Sequence, residues 1–98
     1  MEKAKLNLNQ EILSISGKPF PYPEGNLTIK MAIKIAITNA DMDKKTPDEK
    51  YNAYKTAMRI EKGETDFLPE EWSSFKRAVG LVFGPEIVGF VWDAIAKI

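Results

Sequence analysis

The chain has 98 residues, 14 Lys+Arg against 14 Asp+Glu, 44% hydrophobic and 10% aromatic residues, and neither His nor Cys. That inventory excludes imidazole bases, thiolate nucleophiles, ordinary zinc or haem ligation and a disulfide scaffold, and zero net charge lacks the basic excess on which nucleic-acid binding depends. What is left is a chain of single-domain size, apolar enough to bury a core and too apolar for disorder.

From the start, Met1-Glu2-Lys3-Ala4-Lys5 runs into Leu6-Asn7-Leu8-Asn9-Gln10 and not into an apolar core, so no signal peptide is expected. The longest apolar run falls short of the ~18 residues of a membrane span. A cytoplasmic protein with no membrane contact is expected. Charge divides evenly: residues 1–49 hold seven basic and seven acidic groups, as do residues 50–98, so there is no charged tail.

Residues 5–22 read as a small β-hairpin or ribbon. Glu11-Ile12-Leu13-Ser14-Ile15-Ser16 has β-branched character, Gly17-Lys18 makes a turn, and Pro19, Pro21 and Pro23 allow only an edge segment in return. Residues 27–38 have two readings. Leu27, Ile29, Met31, Ile33, Ile35 and Ile37 alternate with Thr28, Lys30, Ala32, Lys34, Ala36 and Thr38, which is strand periodicity. A helix over 27–39 would instead place Lys30, Lys34 and Thr38 on one strip, with Thr28 or Asn26 as cap and helix-forming Ala and Lys throughout. The helix is favoured, central and wrapped on most sides.

Three more helices follow. Thr46-Pro47-Asp48-Glu49 supplies a cap, a first-turn proline and a capping-box Glu for a helix over 47–62, with Tyr51, Tyr54, Ala57 and Met58 on one face and Gly63 as its stop. Pro69-Glu70-Glu71 opens a helix over 69–83 that carries Trp72, Phe75, Val79, Val82 and Phe83, with Trp72 assigned to the core. Pro85-Glu86 opens the last, over 85–97, with Ile87, Val91, Ala94, Ile95 and Ile98 in a stripe. The expected fold is α+β and mostly α: an N-terminal β-hairpin followed by about four helices in one compact domain, 1–98.

The blocks Leu6-Asn7-Leu8-Asn9-Gln10-Glu11-Ile12-Leu13, Ser16-Gly17-Lys18-Pro19, Leu27-Thr28, Tyr54-Lys55-Thr56-Ala57-Met58 and Ile87-Val88-Gly89-Phe90-Val91-Trp92 carry a resemblance over nearly the whole chain. In this order the chain resembles small uncharacterised proteins of tailed bacteriophages and prophages. The resemblance implies a phage or prophage origin and a host bacterial cytoplasm, and carries no activity with it. One departure stands out. Leu68 precedes Pro69-Glu70-Glu71 where such chains often have Ser or Thr, which puts the capping of that helix in question.

Constellations with chemical potential are few. Asp41, Asp43, Asp48 and Glu49 miss calcium-loop spacing, with Lys45 at the fifth ligand position and Thr46 where Gly is needed. Glu70 and Glu71 point about 100° apart on a helix and cannot form a dyad unaided. Ser73 and Ser74 near Lys76 or Lys62 lack any sign of an oxyanion hole. No catalytic residue, cofactor or metal is therefore assigned. Lys55, Arg59 and Lys62 form a basic strip, expected opposite the tyrosines, which an anion or acidic protein could meet. Phe20 and Tyr22, between prolines, and Phe90 and Trp92, off the main stripe of the last helix, are the candidate partner-binding aromatics.

The expected function is non-enzymatic: protein–protein interaction with phage machinery or with a host or defence factor, a homo-oligomer being one form of it. A nucleic-acid-binding regulator using the basic strip, and a small-ligand sponge lined by Tyr51, Tyr54 and Trp92, are the alternatives.

Overall fold

Thr28 decides between strand and helix. In the computed structural model, which describes residues 6–23 and 25–97, the Thr28 hydroxyl accepts a hydrogen bond from the Met31 N–H at 3.2 Å, and the chain beyond it forms α1, Ile29–Asn39. The alternation of isoleucines is overridden because Ile29, Ala32, Ile33, Ala36 and Ile37, spaced by three and four, are all buried in the helix. Small Ala32 and Ala36 also let neighbouring helices approach.

The segment before α1 is extended and folds onto that helix. Leu6, Leu8 and Ile12 are buried, and a bridge joins Glu11 to Thr28. The paired strands are short: β1, Pro21–Tyr22, and β2, Gly25–Asn26, are antiparallel, with Pro21 opposite Asn26 and Tyr22 opposite Gly25. The hairpin therefore lies later than the expected 5–22, where pairing shrinks to a single bridge, Leu13 to Pro19, closed by a turn with Gly17 at φ 84°. Proline explains the shift. Pro19, Pro21 and Pro23 have no N–H to return to residues 6–13, so pairing moves on to where Leu27 can donate to the Phe20 carbonyl, at 2.8 Å. Residue 5, in the expected hairpin, lies outside the described residues.

After α1, Asp41 takes a left-handed conformation (φ 53°) and a 3-10 turn, Met42–Lys44, leads to α2, Pro47–Glu61. Thr46 and Glu49 form a reciprocal capping box, each side chain accepting from the other's main chain at 3.2 Å. Gly63, at φ 88°, turns the chain out of α2. Then come α3, Pro69–Val82, and α4, Pro85–Ala96, each with proline in its first turn. The N-cap Leu68 offers no side-chain acceptor, and only half a box forms, with the Leu68 N–H donating to Glu71 at 3.1 Å.

The layout is an N-terminal hairpin and four helices. Helix α1 is central: α2 and α3 both pack on it, and α4 packs on α3. Ile29, Ile33, Ile60, Val79 and Val91 are fully buried, with Ile12 and Leu27 from the extended segment. Trp72 is only half-buried; it stands edge-on to Phe67 and Phe75 in a three-ring cluster at the margin of the core.

Candidate functional site

Helix α2 presents its aromatic face to solvent. Ile60 is its one fully buried residue, 1% exposed, whereas Tyr51, Tyr54 and Met58 are 57%, 58% and 41% exposed. At about 100° per residue, Tyr51 and Met58 lie on nearly the same meridian and Ile60 lies diametrically opposite. The core selects the Ile60 side because Ala53, Thr56 and Ala57 flank it with small side chains that fit against α1. The tyrosine rings stack 6.3 Å apart with their planes 22° apart, and the Lys55 ammonium sits 5.0 Å from the Tyr51 ring centre. Tyr51, Tyr54 and Met58 thus put three large, partly apolar side chains on a two-turn span of one helix face.

The aromatic pairs singled out in the sequence do not form surfaces. Phe20 is half-buried against the core, while Tyr22, two residues on and inside β1, is exposed. Tyr22 borders an open groove of about 320 Å³ with Pro23, Met31, Lys34 and Ile35. Phe90 likewise packs on the core. Trp92, 39% exposed, is tied to α3: its Nε1 donates to the Lys76 carbonyl at 3.0 Å, Lys76 Nζ lies 4.7 Å from its ring centre, and the ring faces Gly80. Trp92 thus meets Lys76 rather than the tyrosines of α2, which leaves the proposed Tyr51, Tyr54 and Trp92 pocket without its third wall.

The basic strip keeps to one side of α2, but it adjoins the tyrosines. Lys55 lies on the tyrosine face rather than opposite it. Arg59 is committed: Nε to Glu64 at 2.7 Å, Nη1 to Glu71 at 3.0 Å, and the guanidinium 4.5 Å from the Phe67 ring centre. The hydrogen bond to Glu64 holds its pKa above the ordinary guanidinium value. Lys62 is exposed at the end of α2.

Other charged groups are engaged locally. Glu61 binds Lys34 and, at 3.9 Å, Lys30, and the hydrogen bond from Lys34 depresses its pKa. The hydrogen bond from the Thr46 main chain does the same for Glu49. Asp41 pairs with Arg77 at 3.2 Å. A second cleft, about 310 Å³, lies between α2 and α3, with Lys45, Glu49, Asn52 and Arg77 among its lining. Among the described residues, no three acidic side chains converge as a metal site would require, and no helix is long and apolar enough to cross a membrane.

Comparison with protein-family models, curated proteins and solved structures finds no match.

The sequence reading places Tyr51 and Tyr54 in a ligand pocket with Trp92 and does not foresee that they face outward. The signal lay in residue type: one side of α2 carries Ile60 with alanines, the other two tyrosines, and cores take isoleucine and alanine more often than tyrosine.

Proposed function

We propose that this is a small, non-enzymatic phage or prophage protein that works by protein–protein contact, with the outer face of α2 as its docking surface. The observation that carries this is the exposure of Tyr51, Tyr54 and Met58 together, on a helix whose inner face is held by Ile60. Both residue types suit a docking face. Tyrosine gives large contact area with few torsions to freeze, and methionine adapts to an irregular partner. A rigid helix capped at its start by Thr46 and Glu49 presents them at low entropic cost. The phage resemblance points to phage machinery, or a host or defence factor, as the class of target.

The test is capture from infected and uninfected bacterial lysate on immobilised protein, beside a Tyr51→Ser/Met58→Ser variant. A stoichiometric protein retained by the parent and lost by the variant is expected. The same protein on both, or none on either, overturns the reading.

A further inference from the structure

The α2 face is self-complementary, and we infer that a second copy of this chain covers it in an antiparallel, two-fold symmetric pair. This rests on α2 being the docking face and names the occupant. The outer face carries Asp48, Tyr51, Tyr54, Lys55, Met58 and Lys62, all exposed. Tyr51, Tyr54 and Met58 have the three-and-four spacing of a helix–helix seam. Run two such helices antiparallel about an axis near residues 54 and 55. Tyr51 then faces Met58 of the second copy, an aromatic–sulfur contact made twice, and Tyr54 meets its own counterpart.

Charge supplies the direction. In that register Asp48, at the start of α2, falls beside Lys62 of the second copy, at its end, again twice. A parallel pair would place Asp48 on Asp48 and Lys62 on Lys62. The antiparallel arrangement also opposes the two helix dipoles favourably. Lys55 is the one like-charge approach near the axis, and its ammonium is already drawn over the Tyr51 ring. The apolar seam is short, so the pair belongs to the weak end of specific interfaces. A target protein on the same face would have to displace the second copy.

Sedimentation equilibrium of the full chain from about 10 to about 500 µM spans the range for such a pair. A concentration-dependent dimer is expected. Asp48→Lys and Lys62→Glu should each weaken it about tenfold or more, and combining them in one chain should restore it. The combined variant opposes the α2 dipole at both ends, so restoration cannot come from a steadier helix. Because the chain has no cysteine, an equimolar mixture of Tyr51→Cys and Met58→Cys chains should give a mixed disulfide on oxidation, well above either alone. A monomer throughout overturns self-pairing but leaves the wider contact reading to the capture experiment. A dimer indifferent to both charge reversals, and without the mixed disulfide, overturns it as well.

Discussion

Arg59 of α2 and Glu71 of α3 are joined across the loop that connects their helices, Nη1 to carboxylate at 3.0 Å. The same guanidinium holds Glu64 within that loop and lies over Phe67, so one side chain fixes the loop's start, its buried aromatic and the helix beyond. Arg59→Ala should lower the urea midpoint measurably and speed amide exchange over residues 63–72. Arg77→Ala, which removes a single pair to Asp41 from a side chain 69% exposed, should barely move it.

Leu68 is 63% exposed and has no acceptor for the free N–H groups of the first turn of α3. Leu68→Ser supplies one while keeping the half-box with Glu71, and should stabilise the fold by about 0.5–1 kcal/mol. Thermal unfolding would show this as a rise in Tm; an unchanged or lower Tm would mean that Leu68 contributes apolar packing the substitution forfeits.

Phe20 and Tyr22 separate cleanly. Phe20→Ser removes a ring packed against the core and should cost about 2–3 kcal/mol, below the 3–5 kcal/mol of a fully enclosed phenylalanine. Tyr22→Ser should stay within about 0.5 kcal/mol. Urea midpoints at constant m-value decide the matter, and equal losses would place both residues in the core.

Acid should weaken the fold through two carboxylates. The bond from Lys34 depresses Glu61, and the bond from the Thr46 main chain depresses Glu49. A carboxyl whose folded pKa lies below its unfolded one stabilises fully above the ordinary glutamate range, near 4.3, and loses that contribution as the pH falls through the depressed value. Tm should therefore decline below about pH 4, and Glu61→Gln should make the decline shallower. A variant with the parent's slope would leave the Lys34 pair without effect on stability.

How much of this was legible in the sequence depended on how local the cause was. Thr46-Pro47-Asp48-Glu49 and Pro69-Glu70-Glu71 announced helix starts because caps are made by neighbours. Residues 27–38 were harder: their alternation satisfies both periods, and the helix won through Thr28 and packing on three sides. The orientation of α2 was legible only in residue type, since its helical period offers two apolar sides. Ile60 and the tyrosines each offer an inward face, and the structure buries Ile60, with Ala57 packed beside the core, and leaves the tyrosines outside. Phe20 and Tyr22, two apart on an extended segment, share a face by periodicity, so their different burial was not legible.

The first two main-chain N–H groups of α1 are answered from far back in the chain: Ile29 donates to the Gln10 carbonyl at 3.0 Å and Lys30 to that of Leu8 at 2.8 Å. Helix starts are usually closed by the residues just before them. Here both acceptors lie about twenty residues earlier in the chain, so the start of the central helix is closed by a tertiary contact. Tolerance to shortening is correspondingly lopsided. Trimming the chain through Gln10 strips that helix of two acceptors, whereas shaving the exposed end of α4 strips it of none.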